Sequence, residues 1–211
     1  MAFNNSNLIR NINFLYNFFF KFMNNIKIDL LECDEKIMKK EKMFHSRGLG
    51  TVWLLNLKRL YNIFSEIKKK KNYHFIDIGC GNGIPLIYAY RKFSFKSYSG
   101  IDFQKRYIKI TKKNIESSLG KEFINKKIKL FFSNASNFIL DKNKSYFIFM
   151  FNPFDGFIMK KFIKNNIKNL IKNNSVVAYC NYLELDQFKK YPCNFHIIKK
   201  YKLALIHFGI F

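Results

Sequence analysis

The stretch FIDIGCGNG, residues 75–83, narrows the fold more than any other part of the chain. An apolar run reaches the carboxylate of Asp77 and gives way to glycines at 79, 81 and 83. Glycines let the backbone turn tightly and approach a ligand closely, and Pro85 suits the first turn of a helix. The stretch therefore reads as strand, tight loop and helix. The same alternation continues to residue 211. YHFIDIG (73–79), SYSGID (97–102), KIKLFF (127–132), SYFIFMF (145–151) and SVVAYC (175–180) read as buried strands. Helical patterns over Ile84 to Lys92, Gln104 to Ser118 and residues 157–172 separate them, and FHIIKKY and LALIHFGIF close the chain as a hairpin. Strands alternating with helices predict an α/β fold: a doubly wound, mainly parallel seven-stranded sheet ending in an antiparallel hairpin.

The glycine spacing discriminates between ligands. A dinucleotide fingerprint would put its third glycine at position 84, which holds Ile84, and the loop lacks the Lys and Ser/Thr of a phosphate-binding loop. A carboxylate at its head with no cation fits a ligand that carries a positive centre. A second acidic residue, Asp102, ends the next strand, where a carboxylate accepts hydrogen bonds from ribose hydroxyls. With FNPF (151–154) on a third strand end, the set resembles the class I, Rossmann-like S-adenosylmethionine-dependent methyltransferases from about residue 73 to 211. Asp77, Gly79, Gly81 and Gly83 match that family's first motif, with Cys80 inside it, and Asp102 matches its second. The resemblance implies S-adenosylmethionine as cofactor and sets Phe103 against the adenine. Asn134-Ala135 stands where the family often has an acidic residue, so the side-chain carbonyl of Asn134 is expected to take the adenine amino group.

Asn152-Pro153-Phe154 is a shortened form of the Asn-Pro-Pro-aromatic signature of amino-group methyltransferases. By that resemblance Asn152 and the Pro153 carbonyl hold the acceptor, and Phe154 walls it in. Asp155 is either a proton acceptor for the reacting group or the N-cap of the helix that follows. Ser46 and Arg47 of HSRGLG (45–50) stand where a loop could fold over the cofactor. The methyl acceptor is not identified by the sequence. Protein lysine, a nucleic-acid amine and a small molecule all fit, with an amine favoured. The alternative from another class is a non-catalytic S-adenosylmethionine-binding or RNA-binding module that keeps the fold.

The N-terminal region, residues 1–50, reads as a helical extension and loop ahead of a domain spanning 51–211. Leu8, Ile12, Leu15, Tyr16, Phe19, Phe20 and Met23 share a helix face that Phe14, Phe18 and Phe22 widen, leaving Asn13, Asn17, Lys21 and Asn24 as a narrow polar strip. Such a helix is expected to pack on the core on one side and on a partner, a second copy or a lid on the other. A helix lying on a membrane surface is the second reading. Its apolar run is too short to span a bilayer, so no transmembrane segment is expected. A second amphipathic helix covers Val52 to Ile67 and ends in the Lys68–Lys71 run. The net charge of +24 comes from 33 Lys and 5 Arg, a mix that A/T-rich codon usage produces and that is poor in the guanidinium forks used for phosphate and base recognition. Nucleic acid thus stays open as a partner without being specified. Cys33, Cys80, Cys180 and Cys193 form no CxxC pair, no His cluster completes a metal site, and reduced thiols suit a cytoplasmic protein.

Overall fold

The computed structural model describes residues 5–26, 52–67 and 72–209. The 27–51 segment, including the HSRGLG loop with Ser46 and Arg47, and the Lys68–Lys71 run lie outside the described residues. Five helices are described: α1 (Asn5–Met23), α2 (Leu54–Ile67), α3 (Ile84–Lys92), α4 (Lys105–Ser118) and α5 (Gly156–Lys172). Seven strands accompany them: β1 (His74–Ile78), β2 (Tyr98–Asp102), β3 (Ile128–Phe132), β4 (Tyr146–Phe151), β5 (Val176–Cys180), β6 (Cys193–Ile198) and β7 (Leu203–Phe208).

The strands form one sheet in the order β3-β2-β1-β4-β5-β7-β6. Pairings from β3 through β5 are parallel, and β7 runs antiparallel to both β5 and β6. Successive side chains of a strand point to opposite faces, and the sheet accordingly builds two cores. Phe75, Phe147, Phe149, Ala178 and Leu205 meet α1 through α4 on one face. Ile76, Ile78, Ile148, Met150, Val177 and Ile206 meet α5 on the other. The sheet order reverses direction between β1 and β4, with Ile78 opposite Met150, so the loops leaving these two strands emerge side by side. A crevice at such a switch point is where open α/β sheets bind ligands.

One expectation needs correction. The described α1 turns its Asn strip inward, not its broad apolar arc. Asn13, Asn17 and Phe20 are buried, while Leu8, Ile12, Phe14, Leu15, Phe18, Phe19, Phe22 and Met23 are exposed. Asn17 fixes this orientation. Its Nδ2 donates to the Val52 carbonyl at 2.6 Å, and its Oδ1 accepts from the Leu54 N–H at 3.1 Å. The latter satisfies one of the unpaired donors at the start of α2. Tyr16 and Tyr88 share a hydroxyl hydrogen bond of 2.8 Å, and Phe20 packs edge-on against Tyr88.

Candidate active site

Gly79, Gly81 and Gly83 all have positive φ, at 78°, 53° and 76°. Two of them are also hemmed in by neighbours. A Cβ on Gly79 would lie 2.7 Å from the Pro153 Cβ, and one on Gly83 would lie 2.6 Å from the Thr111 Cγ2. The loop is tied from below as well. The Gly79 and Cys80 N–H groups both donate to the Ile101 carbonyl at 2.9 Å, the Thr111 hydroxyl donates to the Gly81 carbonyl at 2.7 Å, and Asn114 donates to the Asn82 carbonyl at 2.8 Å. Thr111 and Asn114 are missed by the sequence reading. The signal was there, in two uncharged polar residues three apart on the inward side of a Lys-rich helix.

Two carboxylates converge beside this loop. Asp102 is buried at the end of β2, where its Oδ2 accepts from the Gly81 N–H at 3.0 Å and its Oδ1 from the Gln104 N–H at 2.9 Å. Burial raises its pKa, and those backbone donors together with Arg106 oppose the rise. Asp77 is buried too, and among the described residues its Oδ2 has no hydrogen-bond partner. Desolvation, and then repulsion from Asp102, hold the Asp77 carboxyl well above the usual carboxylate range. The Cys80 thiol between them is pushed up by burial and by both acids, and lies 3.9 Å from the Thr111 hydroxyl.

An orphaned, buried acceptor next to a second carboxylate calls for a ligand with donors and positive charge. An ammonium and ribose hydroxyls supply both, so these residues fit S-adenosylmethionine. Phe103 stands partly exposed at the rim, and Ala135 is buried nearby in the chain after β3. Asn134 also has a structural role. Its Oδ1 accepts from the Ser136 N–H and hydroxyl, both at 2.9 Å, and so caps the short turn over Ala135–Asn137. The single Ser136 hydroxyl proton has a second acceptor in Asn137 Oδ1 at 3.2 Å, so the Ser136 N–H is the donor that fixes the Asn134 carbonyl.

The Asn-Pro-Phe loop leaves β4 directly against the glycine loop through the Gly79–Pro153 contact. Asn152 is buried in a left-handed conformation, with φ of 40°. A third unforeseen residue, Tyr179 on β5, reaches it. The Glu184 N–H donates to the Tyr179 hydroxyl at 3.3 Å, and that hydroxyl donates to Asn152 Oδ1 at 3.2 Å. A backbone N–H can only donate, so the phenol proton is left for Asn152, which keeps one lone pair on Oδ1 and its NH₂ group. Periodicity alone marks Tyr179 as a core residue, and only β4–β5 pairing reveals its partner.

The rest of the loop is tied into the fold. The Phe154 ring is buried in the same core cluster as Met150, Ile158 and Tyr179, which anchors the loop to that face of the sheet. Asp155 is the N-cap of α5, its Oδ1 accepting from the Phe157 and Ile158 N–H groups at 3.1 and 3.2 Å. That geometry favours the capping role over that of a proton acceptor.

A family model described as "Methyltransferase domain" matches residues 69–203. The chain belongs to this methyltransferase family. No curated protein matches it in sequence. Among solved structures, the methyltransferase resembles an S-adenosylmethionine-dependent methyltransferase from Aquifex aeolicus at 17% identity and a TM-score of 0.56, over 83% of this chain and 98% of that one. The human methyltransferase 10 domain containing protein is similar at 15% identity and TM-score 0.55, over 83% and 94% of the two chains. A ribosomal protein L11 methylase from Lactobacillus delbrueckii subsp. bulgaricus aligns at 15% identity and TM-score 0.50, over 71% and 76%. At these identities the likeness establishes the fold, with its antiparallel β5-β7-β6 end, as that of class I methyltransferases.

Proposed function

We propose that this methyltransferase moves a methyl group from S-adenosylmethionine to the amino group of an acceptor, and that Asn152 holds that amine. The observation that carries the reading is the contact of Pro153 with Gly79, which puts the Asn152 loop against the glycine loop. When bound, the cofactor supplies a methyl carbon already activated by its sulfonium. What remains for the chain is alignment and exclusion of water. Asp77 accepts from the cofactor ammonium, Asp102 from the ribose hydroxyls, and Phe103 lies against the adenine. Asn152 Oδ1, with the lone pair that Tyr179 leaves open, and the Pro153 carbonyl accept from the amine N–H groups and aim its lone pair at the methyl donor. The methylated amine leaves as an ammonium and releases its proton to water, so Asp155 can remain a helix cap.

Structures of this fold bind the demethylated product, as SMU.1697c of Streptococcus mutans does in complex with SAH. The test begins with calorimetry of S-adenosylhomocysteine, NAD and ATP against the purified chain, followed by transfer of a labelled methyl group into fractionated RNA, protein and small-molecule pools. Binding of S-adenosylhomocysteine alone, with label in an amine of one pool, is expected. Asn152→Ala should keep cofactor affinity and lower turnover about 10²-fold, the cost of misaligned reactants. Full activity of that variant would remove Asn152 from the site.

A further inference from the structure

The unusual surface of the molecule is α1. On an ideal helix at about 100° per residue, its exposed apolar residues sweep roughly half of the circumference. Leu8, Ile12, Leu15, Phe19 and Phe22 form one stripe, with Phe14 and Phe18 on one side and Met23 on the other, and all are exposed. This is not a loosely held helix. The opposite side is anchored by Asn17 to Val52 and Leu54, by the Tyr16–Tyr88 hydroxyl bond and by Phe20. The helix is therefore fixed to the domain by its polar strip and presents its phenylalanines outward. Single exposed apolar side chains are ordinary, but eight on one half of a helix, interrupted only by Asn7 and Asn11 toward its N-terminal end, mark an interaction surface.

The occupant must satisfy both the shape and the charge. A second copy would bring another net charge of +24 against the first, which opposes self-association. A surface of anionic lipid offers the opposite sign, and a helix lying flat buries its apolar face to a depth of about 5–10 Å at the headgroup boundary. Arg10, exposed, and Lys21, half-buried, lie next to Phe14 and Phe18 at one border of the apolar arc, by the same helical spacing. Cations in that position extend their stems along the apolar face and hold their charge at headgroup level. Interfacial helices usually keep Lys and Arg on a solvated polar face. Here the domain covers that face, and the chain as a whole carries the positive charge, +24. Among the described residues no helix is long and apolar enough to cross a membrane, so the contact is one of lying on the surface. We infer that α1 seats the protein on an anionic lipid surface through Leu8, Ile12, Leu15, Phe18, Phe19 and Phe22.

The test is co-sedimentation of the full chain with vesicles of phosphatidylcholine, with and without about 30% phosphatidylglycerol, at about 0.15 M salt. Binding to the anionic vesicles is expected, at least about tenfold tighter than to the neutral ones. Phe18→Ser with Phe22→Ser should lower that partitioning at least about tenfold, as two apolar rings no longer leave water. S-adenosylhomocysteine affinity, read by calorimetry, should not change, which shows that the variant is folded. No association with anionic vesicles would overturn the inference. So would association that the double variant leaves intact, which would be adhesion by charge alone. A dimer in sedimentation equilibrium that the double variant dissociates would assign the face to a second copy instead.

Discussion

Gly79→Ala tests the coupling between cofactor loop and acceptor loop, because one added methyl group enters both. The new Cβ would sit 2.7 Å from the Pro153 Cβ, closer than carbon atoms approach without displacement. Proline's ring cannot rotate away, so the Asn152–Pro153 backbone has to move. The conformation adds a second cost, since φ at Gly79 is 78° and a side chain there is disfavoured by about 1–2 kcal/mol. Overpacking adds about 1–3 kcal/mol, for a total of about 2–5 kcal/mol in stability. Denaturant unfolding of the variant measures this sum. Turnover on the identified acceptor should drop by about 10²-fold, because the residue displaced is the one proposed to align the amine. Combining the change with Pro153→Gly, which deletes the opposing Cβ, should return the overpacking part and leave the conformational part. A Gly79→Ala protein within about 0.5 kcal/mol of the parent and fully active would refute the reasoning. A double variant no better than the single one would show that strain, and not contact between the loops, is responsible.

Burial raises the folded Asp77 carboxyl above its ordinary value of about 3.9. Its contribution to stability without cofactor is therefore complete below that pH and is lost as pH climbs through the raised folded value. Asp77→Asn should thus raise the thermal midpoint at neutral pH, give little gain near pH of about 3, and weaken S-adenosylhomocysteine binding by about 1.5–3 kcal/mol. A midpoint difference that does not vary with pH would contradict it. Tyr179→Phe should lower kcat while leaving KM and cofactor affinity alone, at a stability cost of about 1–3 kcal/mol for the buried bond removed. In an Asn152→Ala background the same change should leave kcat unaltered, and additive losses would separate the two residues. Asp155→Ala should cost about 0.5–2 kcal/mol in urea unfolding, as lost N-caps do, with turnover retained, and a collapse of kcat at full stability would restore it as a proton acceptor.

The sheet was legible because its signals are local. Five short apolar runs bounded by breakers, and glycines at 79, 81 and 83, need no distant residue to be interpreted, and the described strands fall within a residue or two of those runs. What escaped reading depends on partners far along the chain. Helical periodicity identifies the two sides of α1 but not which side faces the core. That was decided by Val52 and Leu54, 35 and 37 residues from Asn17. The carbonyl of Asn134 had a plausible ligand in the sequence and a nearer partner in Ser136, two residues on. Phe154 follows a proline at a strand end, where a ring can point to either the ligand or the core. Burial beside α5 decided for the core.

Strand β7 follows β5 and β6 in the chain yet lies between them in the sheet. During synthesis both of its neighbours emerge first, and in the finished sheet they do not pair with each other. Until Leu203–Phe208 arrives, β5 offers an open edge of Val176, Val177, Ala178, Tyr179 and Cys180, an apolar five-residue run of the kind that recruits other chains. The strand that closes this edge also fixes Tyr179, which pairs with Ala204 on one side and Met150 on the other. The loop proposed to hold the acceptor is thus braced from a strand whose own partner is made late. A chain halted before residue 203 would keep this edge of β5 uncovered and leave Tyr179 without its Ala204 neighbour.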